Sequence, residues 1–156
     1  MKISWKKLIL SILVPLLVGG LAAWFTRDSM DLYPTLNKPP LAPPMLLFPI
    51  IWSILYILMG ISYYIMQSTP DAQTKQATTI YGLQLLVNFL WPIIFFNMQA
   101  YLFAAIWLLI LIFLIILMLR SFYHIHPSAA YLQIPYLLWT LFAAYLNIAI
   151  YLLNRS

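Results

Sequence analysis

Residues 76–119 hold no formal charge: 44 consecutive positions separate Lys75 from Arg120. An α-helix rises about 1.5 Å per residue, so about 30 Å of hydrocarbon takes roughly 20 residues to cross. The run is long enough for two membrane spans and a tight turn. The same emptiness recurs on either side, across residues 39–70 and 121–154. An ionised side chain at mid-bilayer costs about 2.5–3.5 kcal/mol on insertion scales. The chain avoids that cost by confining its 8 bases and 3 acids to short stretches between apolar runs. This reads as an all-α integral membrane bundle of five transmembrane helices, one domain over residues 1–156.

The spans are expected at about 5–26, 45–67, 77–97, 101–123 and 129–154. Lys2, Lys6 and Lys7 ahead of an apolar run imitate a signal peptide, but the run continues to Phe25, which is spanning length. Gly19 and Ala23 form a small-residue pair that lets another helix approach, within the bundle or across a dimer seam. The loop at 27–44 holds Pro34, Pro39, Pro40, Pro43 and Pro44. Proline fixes φ and biases its predecessor toward extended backbone, so this loop is expected to be stiff and partly polyproline-like. Its apolar Leu32, Tyr33, Leu36 and Leu41 suit it to fold over the mouth of the bundle. Pro15, Pro92 and Pro135 fall inside spans and free the carbonyls of Ser11, Asn88 and Tyr131, either as simple kinks or as bends that open a cavity. An N-inside arrangement puts five bases inside (Lys2, Lys6, Lys7, Lys75, Arg120) and three outside (Arg27, Lys38, Arg155), which favours that orientation.

Many function classes lose their chemistry here. The net charge of +5 is spread over loops and ends, as membrane anchoring requires, and no nucleic-acid partner is expected. Without cysteine there is no thiolate nucleophile or thiolate metal site. His124 and His126 offer only two ligands, so no metal site is expected. Asp28, Asp31 and Asp71 all lie in loops, and no span carries an acid or a His relay for ion coupling.

What remains is neutral. Gln84, Asn88 and Trp91 fall at i, i+4 and i+7, on one helix face. Trp52, Tyr56, Met59 and Tyr63 make a second stripe, and Pro135, Trp139, Ala143 and Asn147 a third. Ala143 is small between large neighbours and leaves room for a flat guest. The stripes are either simple helix packing or the walls of an apolar pocket with a few placed polar groups.

Three blocks carry a resemblance. The first is Tyr33, Leu36, Asn37-Lys38-Pro39-Pro40, Ala42-Pro43-Pro44, Phe48-Pro49, Trp52, Leu55-Tyr56 and Met59-Gly60. The second is Gln84-Leu85-Leu86-Val87-Asn88-Phe89-Leu90-Trp91. The third is Pro135-Tyr136, Trp139, Phe142-Ala143 and Leu146-Asn147. Together, in order and spacing, they resemble the TspO/MBR family of tryptophan-rich sensory proteins, relatives of the mitochondrial translocator protein once called the peripheral benzodiazepine receptor. The resemblance implies a five-helix bundle that pairs as a homodimer. It implies a pocket for a tetrapyrrole, protoporphyrin IX or haem, as ligand rather than required cofactor, and for benzodiazepine-site ligands. Light-dependent oxidative breakdown of porphyrin is a further implied activity, with Trp52 and Trp139 as the residues to carry it. Transport of porphyrins or other hydrophobic molecules, or a regulatory adaptor role, is the alternative. Carried over residue by residue, the pocket includes Tyr33, Pro43, Pro44, Trp52, Tyr56, Asn88, Trp91, Trp139 and Ala143; the stripes add Gln84 and Asn147. Leu32 stands where a Trp is common in the family. Leu146, Tyr151 and Arg155 match the animal relatives' cholesterol pattern only loosely. The short termini imply a bacterial member in the cell membrane.

Overall fold

Each charge-free run becomes one or more helices in the computed structural model, which describes residues 2–155. Helix α1 spans Trp5–Thr26, α2 Leu47–Ser68, α3 Thr74–Pro92 and α4 Tyr101–Ile125, followed by a short α5, Pro127–Tyr131, and α6, Ile134–Asn154. Among the described residues there is no strand. Counting α5 and α6 together, five helical segments are long and apolar enough to cross a membrane. The protein is a multi-pass membrane protein. Helix α1 packs along α2, α3 along α4, and α4 along α6. Helix α4 turns Ile106, Leu109, Phe113 and Ile116 outward, a lipid-facing stripe, while Leu108, Leu111, Ile115 and Met118 fill the core.

Proline acts differently at each of its three positions. Pro15 is buried inside α1 and cannot donate to the Ser11 carbonyl. That carbonyl lies against Gly60 of α2: a Cβ built on Gly60 would sit 2.6 Å from Ser11 O and 2.8 Å from Ile12 N. Glycine is there because two helix backbones meet with no room for a side chain. Pro92 ends α3, and the chain continues as a wide π-helical turn, Ile93–Asn97, closed by Met98 N–H donating to Ile93 O at 3.1 Å. A ring that crowds the preceding turn and removes a donor is accommodated by this widening.

Pro135 corrects the expectation of an interior kink. The fifth span is two helices, broken at Leu132 and Gln133, and Pro127 and Pro135 each stand in the first turn of one of them. There the missing N–H leaves no bond unmade. Gln133 is fully buried at the break, its amide directed to Met118 Sδ at 3.9 Å.

The long loop is also more helical than expected. Met30–Thr35 forms a 3₁₀ turn, and extended backbone resumes at Leu36. The Lys38 ammonium stops the turn by donating to the carbonyls of Tyr33, Pro34 and Leu36, each at 3.2 Å. Leu41 takes a left-handed φ of 73° in a turn closed by Ala42 N–H to Pro39 O.

Candidate functional site

A cavity of about 540 Å³ lies between α1, α2, α3, α6, the π turn and the 3₁₀ turn, within the roughly 300–1,000 Å³ usual for small-molecule sites. Each wall exists for a local reason. On α1 the small residues Gly19, Gly20, Ala22 and Ala23 leave the space. Gly19 is also a slot for Tyr56: a Cβ there would meet the phenol ring, with Tyr56 Cδ2 at 2.7 Å. The small-residue pair read from the sequence thus serves ring packing inside the bundle at Gly19. The π turn presents Phe95 and Phe96 to the same space. Their direction follows from the widened turn after Pro92.

The floor, formed by Tyr56 and Asn88, is backed by a hydrogen-bonded network through Tyr136 and Gln84. Tyr56 Oη donates to Asn88 Oδ1 at 2.7 Å, Asn88 Nδ2 donates to Tyr136 Oη at 2.8 Å, and Tyr136 Oη donates to Gln84 Oε1 at 2.7 Å. All four side chains are buried. The Asn88 amide is therefore engaged on both ends by phenols rather than held free for a guest. A second tie fixes Trp91: its indole N–H donates to Asn147 Oδ1 at 2.9 Å, and Asn147 Nδ2 donates to Tyr101 O at 2.9 Å.

The walls are aromatic. Trp52 stacks on Tyr56 with centroids 5.5 Å apart and meets the edge of Tyr136 at 6.2 Å. Phe48 bridges Tyr33, at 5.2 Å, and Trp139, at 6.0 Å. Trp91 lies 5.2 Å from Phe95. The Trp139 indole N–H is buried without a partner, in contrast to Trp91. Trp139 also borders a second hollow of about 420 Å³, open to the outside and lined by Ile51, Ile54, Leu138 and Phe142 among others. That hollow is wholly apolar in its residues and sits on the lipid side of α2 and α6.

The loop borders the cavity through Met30 and Tyr33 and is pinned at several points. Tyr33 is buried, and its hydroxyl donates to Pro43 O at 2.9 Å. Burial pushes the Tyr33 pKa above the usual phenol value, which keeps this donor protonated. Asn37 N–H donates to Asn154 Oδ1 at 3.1 Å, and Asn154 Nδ2 returns a bond to Asn37 O at 2.9 Å. Tyr145 Oη donates to Pro40 O at 2.9 Å. On the other side Ser29 Oγ donates to Asn97 Oδ1 at 2.6 Å, and Asn97 Nδ2 donates to Phe25 O at 2.9 Å.

Of the residues expected in a pocket, Tyr33, Trp52, Tyr56, Asn88, Trp91, Trp139, Ala143 and Asn147 line this cavity. Pro43, Pro44 and Gln84 do not. Pro43 stands behind Tyr33 as its acceptor, Pro44 is exposed, and Gln84 lies beneath the floor. Sequence reasoning passed over Phe48, Phe95, Phe96 and Arg27 in the lining, and Tyr136, which does not line the cavity but anchors Asn88 from behind. The signal for Tyr136 was present: it precedes Trp139 by three residues and Ala143 by seven, on the same helical stripe.

The fold and cavity define a class, a five-span helical membrane protein with an aromatic-lined site beside a pinned loop. The sequence profile of the TspO/MBR family matches residues 11–153. The chain belongs to the TspO/MBR family. It is 40% identical over 149 residues to the tryptophan-rich protein TspO of Archaeoglobus fulgidus, covering 95% of this chain and 97% of that one. It is 35% identical over 142 residues to the protein of the same name from Chlorobaculum tepidum, covering 89% and 90%. The translocator protein of Bos taurus is 34% identical over 139 residues, covering 86% and 82%.

Proposed function

We propose that the cavity binds a tetrapyrrole, protoporphyrin IX or haem, and accepts other flat hydrophobic molecules, including benzodiazepine-site ligands, in the same space. The observation that carries this is the lining of one cavity by Trp52, Trp91, Trp139, Tyr33, Phe48 and Phe95. Ring faces and edges at this density suit a broad planar guest, each aromatic contact adding about 0.5–1.5 kcal/mol beyond burial. The floor is already partnered, so recognition there is by shape and ring packing, with the unpartnered Trp139 N–H as a donor in the wall. Titration of the purified protein with protoporphyrin IX, followed by indole quenching, tests it. Saturable quenching that weakens when Trp52 and Trp139 are each changed to Leu is expected. Unsaturable quenching, or quenching indifferent to both changes, refutes it.

A second reading is favoured by Trp52 and Trp139 both lining the cavity. Bound porphyrin absorbs light and passes its energy to dioxygen, and the macrocycle is oxidised and opened while caged between oxidisable indoles. No protein acid or base is needed. Illuminated samples lose porphyrin absorbance faster with protein than with detergent alone, and dark samples do not. Equal rates and products with and without protein end this reading. The name translocator protein carried by the Bos taurus relative supports a third, passage of the ligand across the bilayer, tested by porphyrin flux in proteoliposomes. Family membership also carries the expectation of a homodimer, which a mass measurement in detergent checks.

A further inference from the structure

Among the described residues Arg27 is the one charged side chain in the cavity lining. It follows α1 directly, and its guanidinium packs over the ring of exposed Trp24, 4.3 Å from the centroid, beside the cavity edge that Arg27 lines. One of its nitrogens, Nη1, donates to Trp24 O at 2.7 Å. A guanidinium carries five N–H donors, so that bond leaves most of the fork uncommitted. Apart from the unpartnered indole N–H of Trp139, a neutral donor, the hydroxyls nearby are engaged. Thr26 Oγ1 donates back to Ala22 O, Ser53 Oγ to Pro49 O, and Ser29 to Asn97. Lys38 spends its three N–H bonds on the loop's own carbonyls. Asp28 and Asp31 are exposed on the adjoining segment and do not line the cavity. The interior amides of Asn88 and Asn147 are bound to phenols, an indole and a carbonyl. A negative charge on a guest would find one cation in the lining, the Arg27 guanidinium, with part of its donor fork still unspent.

We propose that Arg27 is the anion-recognition residue of this cavity, pairing with a carboxylate carried on the rim of an otherwise apolar, flat ligand. The inference rests on the tetrapyrrole reading and narrows it. The ligand is amphipathic, with its macrocycle against the indoles and its acidic edge toward Arg27. Arg27 then sets specificity between acidic and neutral rings of the same shape. A guanidinium meets a carboxylate through two parallel N–H···O bonds, a geometry an ammonium does not reproduce. The competing role is local: a cation after the last helical turn that satisfies a terminal carbonyl and the helix dipole. The two roles differ in what they predict for an uncharged ligand.

The test titrates the full-length protein with protoporphyrin IX and with its dimethyl ester, for wild type, Arg27→Gln and Arg27→Lys, in a neutral detergent. The readout is the ratio of variant to wild-type Kd for each ligand, so partitioning of the ligand into detergent cancels. Arg27→Gln is expected to weaken the diacid about fivefold to tenfold, at the lower end for a charge-assisted bond because the site faces water, and to leave the ester unchanged. Arg27→Lys falls between, and raised salt weakens the diacid in wild type and in Arg27→Lys but not in Arg27→Gln. Unchanged ester affinity also shows that Arg27→Gln is folded. If both ligands weaken alike, Arg27 is a helix-end residue and the inference fails while the tetrapyrrole reading stands. If neither weakens, the carboxylate is held elsewhere and the inference likewise fails. If wild type binds neither ligand saturably, the tetrapyrrole reading falls and this inference falls with it.

Discussion

Replacing Asn88 by Leu removes the link between two phenols while keeping roughly the same volume. Tyr56 Oη loses its acceptor and Tyr136 Oη loses a donor, though Tyr136 keeps Gln84 as acceptor. Side-chain hydrogen bonds inside membrane proteins average about 0.6 kcal/mol and reach about 1.7, so two of them amount to roughly 1–3 kcal/mol. All the groups involved are buried, so the stranded Tyr56 hydroxyl pulls the total toward the upper end. Reversible unfolding in mixed micelles of rising SDS fraction, followed by tryptophan fluorescence, measures the loss. A cycle with Tyr56→Phe isolates the single bond, with an expected coupling of about 0.6–1.7 kcal/mol. Strict additivity, with coupling below about 0.3 kcal/mol, refutes the network as a connected unit.

Gly60→Ala forces a methyl against the Ser11 carbonyl and the Ile12 backbone, which cannot rotate away; a loss of about 1–3 kcal/mol or more is expected in the same unfolding assay. Gly19→Ala pushes the Tyr56 ring from its slot toward the cavity, so ligand affinity drops along with stability, and unchanged affinity contradicts the slot. Tyr33 holds its proton more tightly folded than unfolded, because burial raises its pKa above 10.0. Its contribution to loop closure is complete below about pH 10 and declines as pH rises through the folded value. Ligand release should therefore quicken at alkaline pH in wild type and lose that dependence in Tyr33→Phe. Asn154→Ala removes both bonds to the Asn37 backbone and should speed ligand association and release together, read by stopped-flow quenching.

The spans were legible because a bilayer excludes charge, and 44 uncharged residues between Lys75 and Arg120 admit few alternatives. The break in the last span was not. Pro135 reads as an interior kink until Gln133, fully buried at the join, shows where the chain turns. The inward stripes were legible from helical spacing, since Trp52 and Tyr56, Asn88 and Trp91, and Trp139, Ala143 and Asn147 do face one volume. Spacing gives the face of a helix but not its depth. Gln84 shares a stripe with Asn88 and yet lies beneath the floor, because the phenol of Tyr136 comes between them. Phe95 and Phe96 were hidden for another reason: a π turn shifts the phase of every side chain after Pro92. Arg27 looked like ordinary loop charge, and only the course of α1 brings it into the cavity lining.

The most direct test is an experimental structure of the protein with protoporphyrin IX bound. The macrocycle should lie inside the cavity, against Trp52, Trp91 and Trp139, with Tyr33 over it and the Tyr56–Asn88–Tyr136 network below. Density confined to the outer hollow beside Ile54, Leu138 and Phe142, with the cavity closed over its own side chains, would contradict the account.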